Sequence, residues 1–232
     1  MTSPARMSVA SGSALGGGDD LEASTPQTYA PPLPPVIRPL HTYLRYGLIP
    51  PRRFFPGMGQ ADVTADAIAI GDYPFAPSAA YPSRVLRPAD IRSVTYHGPC
   101  LLEVGKDFVF VSKEREDDLR AFAKTHALPE RHAAFTWDFL LEPFLDTELT
   151  HEHHARLFER LAERGLSRKE VLAVREEVAG PMYHYNFHLK VWEWAGFGLY
   201  DVLSVMHAVL RPAAFADFYW RAMAIETLSA DA

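Results

Sequence analysis

Apolar positions recur with a helical period through Pro181–Leu210, PMYHYNFHLKVWEWAGFGLYDVLSVMHAVL. At about 100° per residue, Val191, Ala195, Leu199, Val202, Met206 and Val209 fall on one broad face, with Trp192 and Leu203 at its edge. Asn186, Lys190, Glu193, Ser204, His207 and Arg211 collect opposite. A wide apolar stripe of this kind predicts a helix packed on a core, with its polar side in water. Gly196 and Gly198 interrupt the pattern, each at a cost of about 1 kcal/mol relative to alanine in a helix interior. They predict a kink, or the end of one helix and the start of another with Asp201 in its first turn.

Upstream the period changes. Residues 61–112 read as β-rich. VTADAIAIG alternates, with Val63, Ile68 and Ile70 as its apolar positions, and SRVLRPADIRSVTYHG reads as a strand, a turn and a second strand. CLLEV and FVFVS, joined around Gly105-Lys106-Asp107, predict a hairpin. Lys113 to His126 then reads as a helix, with Leu119, Phe122 and Ala123 on its apolar side.

Residues 132–228 read as helical throughout. HAAFTWDFLLEPFLDTEL carries Asp138, Glu142 and Asp146 in a row opposite Leu140, Leu141, Phe144 and Leu145, with Pro143 favouring a kink. Thr150 is positioned as an N-cap for HEHHARLFERLAER, and Gly165 as the residue that ends it. Ser167 and Glu170 form a capping box, and Leu166 and Val171 a hydrophobic staple. That helix is expected to run to about Ala179 and to stop at Gly180-Pro181. Pro212 opens a last helix with Phe215, Phe218, Tyr219 and Met223 on its apolar side. The fold class predicted is α+β: a small β-rich module closed by one helix, then an all-α bundle of five to six helices. Four segments follow: a Pro/Gly/Ser-rich tail over 1–36, expected to be disordered; a Pro-broken connector over 37–60; the β-rich module over 61–131; and the bundle over 132–228.

Composition narrows the function. Of 232 residues, 48% are hydrophobic, enough for a substantial core, and the net charge of −6 argues against a dedicated nucleic-acid binder. The connector does interleave aromatics with Arg38, Arg45, Arg52 and Arg53, and its reading is a linker whose aromatics pack on the domain. The helices flanking Gly165 are spaced like a helix-turn-helix, but Glu170, Glu176 and Glu177 offset Arg168, Lys169 and Arg175, which argues against DNA reading. A single cysteine, Cys100, excludes an internal disulfide and reads as a buried strand thiol. With no apolar leader and no run of about 20 apolar residues, a cytoplasmic location and no transmembrane segment are expected.

Candidate chemistry is sparse. His184 and His188 lie one turn apart, a spacing at which two imidazoles meet one metal ion. His154 and Asp201 are candidate further ligands, and Glu193 a candidate general base through a bound water. The alternative for the histidines is a structural role with backbone or tyrosine partners. His151, Glu152, His153 and His154 fall short of a zinc-protease HExxH because position 155 is alanine. Asp138, Glu142 and Asp146 read as a solvated face rather than a cation site. Arg84, Arg87 and Arg92 are candidates for an anionic lipid or phosphate if they share a face. No phosphate-binding glycine loop, GxSxG elbow or CxxC pair is present. The expectation is a non-catalytic accessory or interaction protein with a protein partner and no cofactor. The alternative is a metal-dependent hydrolase using a divalent ion at His184, His188, His154 and Asp201.

Overall fold

The computed structural model describes residues 45–132, 134–145, 150–189 and 196–228. The tail, residues 37–44 of the connector, Asp146 and the Lys190–Ala195 stretch with Glu193 lie outside the described residues.

Two three-stranded antiparallel sheets come first. β1 (Gln60–Val63), β2 (Ile68–Gly71) and β3 (Arg84–Leu86) form one sheet, and β4 (Ser93–Thr95), β5 (Cys100–Val104) and β6 (Asp107–Val111) the other, each in chain order. The alternating VTADAIAIG splits into two strands because Thr64 closes a turn: its N–H and Oγ1 both donate to the Ala67 carbonyl, at 2.9 and 2.8 Å. Val63 then pairs with Ile68. The predicted hairpin is present, with Cys100 opposite Val111 and Val104 opposite Asp107. Its loop is the two residues Gly105-Lys106, and Gly105 adopts a φ of 66°, a region glycine enters without steric cost.

Among the described residues, six α-helices follow: α1 (Glu116–Thr125), α2 (Thr136–Leu141), α3 (His151–Glu163), α4 (Arg168–Tyr183), α5 (Leu199–Val209) and α6 (Pro212–Glu226). The architecture is α+β, as the pattern predicts. Thr150 caps α3 by accepting from the His153 N–H at 3.2 Å. Ser167 and Glu170 exchange both capping-box bonds. Asp201 sits in the first turn of α5 and accepts from the Gly198 N–H at 2.9 Å, so the non-helical Gly196–Gly198 stretch is followed by the start of a helix rather than forming a kink within one. No helix among the described residues is long and apolar enough to cross a membrane.

Two expectations fail. α4 does not stop at Gly180-Pro181. It continues to Tyr183 and passes into a π turn over His184–His188. Pro181 supplies no N–H and crowds the carbonyl one turn back, and a wider turn just downstream is one way for a helix to absorb that disruption. Gly180 is where the Tyr46 ring approaches the helix: a Cβ there would lie 3.1 Å from the tyrosine hydroxyl oxygen. The second concerns α5, whose predicted polar side is only partly in water, with Arg211 exposed, His207 half-buried and Ser204 covered. Ser204 is buried with Leu199, Val202, Leu203, Val205 and Met206, because the 3-10 turn Pro51–Phe54, α4 and α6 all pack against this helix.

One hydrophobic core joins the sheets and the bundle, running from Phe54 and Ile68 through Phe110 and Trp137 to Tyr219. Its polar centre is Asp107, only 1% exposed. The carboxylate accepts from Ser78 Oγ at 2.6 Å, the Ala79 N–H at 2.8 Å and Tyr219 Oη at 2.6 Å, tying β6 to the loop after β2 and to α6. A second buried polar group is Arg175 of α4. Its Nε donates to the Leu140 carbonyl and its terminal nitrogen to the Phe139 carbonyl, both at 3.0 Å. These carbonyls belong to the last turn of α2, where helical partners run out. Burial pushes the guanidinium pKa down to about 10, still well above neutrality. We expect Arg175→Met to cost about 2 kcal/mol, since both acceptors lose a charged donor, and Arg175→Lys to recover little because lysine lacks the planar fork. Equilibrium urea denaturation checks this; full stability in the lysine variant would contradict the fork geometry.

Candidate functional site

The structure brings two of the four predicted metal ligands together. The His184 and His188 rings lie 5.1 Å apart between centroids, on the π turn. His184 is buried between Tyr46 and Phe54, at 5.8 and 5.5 Å, and its Nδ1 has no hydrogen-bond partner among the described residues. Burial, reinforced by His188, lowers its pKa and favours the neutral ring. Asp201 is separate: its carboxylate is held by the Gly198 N–H and, at 3.4 Å, by Tyr185 Oη. His154 belongs to a third neighbourhood, on α3. Burial and then the Arg175 charge lower its pKa, and the adjacent His153 reaches Glu142 at 2.5 Å. Among the described residues, no three His, Cys, Asp or Glu side chains gather as a metal-holding group.

A different set of acids stands out. Asp138, expected on a solvated face, is half-buried on α2, and desolvation raises its pKa. Its Oδ2 would lie 3.5 Å from a Cβ placed on Gly198. Asp201 is pushed up to about 6, chiefly by burial, with Asp138 adding to the effect. Glu226, 6% exposed near the end of α6, is pushed up to about 8 by burial and then Asp138. The Trp137 backbone N–H in the first turn of α2 hydrogen-bonds this carboxyl, and Arg131 and Arg164 also oppose the rise. The Glu226 Oε2 has no partner among the described residues. A carboxyl whose pKa is raised toward neutrality is suited to holding or passing a proton.

Residues 132–229 match the family model of a domain of unknown function, DUF7079. No curated protein and no solved structure matches the chain. The matched segment contains α2 to α6 and with them Asp138, His154, His184, His188, Asp201 and Glu226. It leaves out both sheets and the Arg45–Phe55 segment.

On the surface, an open cleft of about 800 Å³ lies between the second sheet and α6. Arg92 and Glu103, the Gly105-Lys106 turn, and Trp220 with Ala224 line it. Trp220 is 41% exposed and meets Tyr219 edge-on at 5.3 Å. Glu103 is well supplied: Ser93 Oγ donates at 2.6 Å, Arg92 pairs at 3.1 Å and Arg131 lies at 3.9 Å. Two guanidinium groups on one carboxylate leave a positive charge unbalanced, and Lys106 adds another on the exposed turn. The three candidate anion-binding arginines are divided: Arg84 faces Asp90 at 3.8 Å in the first sheet's surroundings, whereas Arg92 belongs to this cleft.

The sequence held signals for two of the residues not anticipated. Arg175 falls in register with Val171, Val178 and Met182, and Glu226 with Tyr219, Ala222 and Met223. A charged residue on an apolar stripe is a buried one or a functional one. Trp220 has no such signal, because its cleft is formed by a turn more than a hundred residues away in the chain.

Proposed function

We propose that this chain is a non-catalytic interaction protein that receives an acidic, apolar segment of a partner protein in the cleft between the Gly105-Lys106 turn and α6. The observation carrying this reading is the exposed Trp220 beside Lys106 and the shared Arg92–Glu103–Arg131 cluster. Tryptophan and arginine dominate binding energy where they meet a partner and water is excluded. Tryptophan offers a large face at little entropic cost. The Asp107–Tyr219 bond fixes the helix that presents it, so the ring needs little reorganisation on binding. A net charge of −6 repels acidic segments generally, so cations concentrated in a cleft set where such a segment docks.

The test is a peptide selection on the full chain from a random displayed library, with binding of the enriched peptides then measured by fluorescence anisotropy. Enriched sequences are expected to combine Asp or Glu with a large apolar residue. Their affinity is expected to fall more than tenfold in Trp220→Ala, and also in Lys106→Glu. Peptides that bind both variants as tightly as the parent, or a selection without enrichment, would overturn the reading.

A further inference from the structure

We infer that the turn carrying Arg45 to Phe55 is a docking surface for an anionic lipid bilayer. The Ile49 N–H donates to the Tyr46 carbonyl at 2.9 Å, closing a turn whose two central residues are Gly47 and Leu48. Leu48 is 91% exposed, and Phe55, a few residues on, is 49% exposed. This is not a loose segment. Tyr46 and Phe54 flank it, both are buried, and both pack on His184, while Pro50 and Pro51 stiffen the chain between them. The fold therefore holds an aliphatic side chain out into water on an anchored turn.

Charge gives the occupant. Residues 45–61 contain Arg45, Arg52 and Arg53 and no acid, in a chain of net charge −6. All three arginines are exposed, and none is ion-paired among the described residues. The π turn beneath, HYNFH, adds exposed Phe187 and no carboxylate. Exposed apolar side chains on a segment whose three arginines carry no ion pair among the described residues fit the boundary between headgroups and acyl chains, with the arginines on lipid phosphates and carboxylates. A single nucleic-acid strand would also use the arginines and stack on Phe55, but it gives Leu48 no role, since an aliphatic side chain provides no stacking face. The turn lies outside the proposed peptide cleft, so the two sites are independent.

The experiment is co-sedimentation of the full chain with large unilamellar vesicles of phosphatidylcholine alone, or with about a third phosphatidylserine. A labelled single-stranded oligonucleotide is titrated in parallel. Partition is expected with phosphatidylserine vesicles only, and it should weaken as salt rises. Each arginine contributes roughly a fivefold preference, so Arg52→Glu/Arg53→Glu is expected to lower partition at least tenfold. Leu48→Ser, which keeps every charge and changes an exposed side chain, is expected to lower it about tenfold. Thermal melts of both variants should match the parent. Absence of vesicle binding, equal binding to neutral vesicles, indifference to both variants, or oligonucleotide binding without vesicle binding would each overturn the inference.

Discussion

Replacing Asp107 with alanine is expected to lower stability by about 4 kcal/mol, the largest single loss we anticipate in this chain. The carboxylate receives two hydroxyls and a backbone N–H in a site 1% exposed, and the donors come from two distant parts of the chain, the Ser78-Ala79 loop and α6. Removing the acceptor takes the bond from the part-buried Ala79 N–H, and the buried Ser78 and Tyr219 hydroxyls must find other acceptors. Burial, with Tyr73 and Asp107 nearby, already holds the Tyr219 hydroxyl far above its ordinary pKa, so it cannot compensate by ionising. A loss of that size corresponds to roughly 10 °C in Tm. Tyr219→Phe, which removes one donor and keeps the ring packed, is expected to cost about 1 kcal/mol. Thermal and urea unfolding of both variants measure this. A loss below that of Tyr219→Phe for Asp107→Ala would mean that the carboxylate is not the organising acceptor.

Replacing Glu226 with glutamine is expected to stabilise the protein, and only on the alkaline side. The folded-state pKa is pushed up to about 8 from an ordinary 4.5. Below pH 4.5 the carboxyl is neutral folded or unfolded and contributes no pH dependence. As pH rises from 4.5 toward 8, the unfolded chain releases the proton and the folded chain retains it, so stability falls. Above 8 both forms are ionised and the penalty is constant. Glutamine is neutral throughout and close in shape, so the difference should be near zero at pH 4.5 and about 3 kcal/mol in favour of the variant at pH 7. His154, His184 and His207 act in the opposite sense. Burial lowers their folded pKa values, so they withdraw stability as pH falls below about 6.5. Chemical denaturation at pH 5, 7 and 9 separates the effects, and a variant advantage that does not grow with pH would refute the assignment to Glu226.

Local chemistry was the legible part of this chain. Thr150, Ser167 with Glu170, Pro212 and the β5–β6 hairpin declare themselves because each cap or turn is completed within a few residues. The continuation of α4 through Gly180-Pro181 into a π turn has no local signal, and the Tyr46 ring that meets Gly180 comes from more than a hundred positions earlier. Asp138 was misassigned for a similar reason: α6 and the segment around Gly198 cover a face that looks solvent-exposed on an isolated helix. The metal candidates divide by the same distinction. One helical turn of spacing sufficed to bring His184 beside His188, whereas no local rule relates either of them to His154 or Asp201.

The single core shared by the sheets and the bundle bears on what the matched segment can do alone. A fragment beginning at residue 132 keeps α2 to α6 but takes Tyr219 away from its acceptor and uncovers the side of α6 that faced β6. The matched stretch and the cooperative unit therefore have different boundaries: a chain cut at residue 132 needs some other cover for that aromatic face of α6 before it can refold.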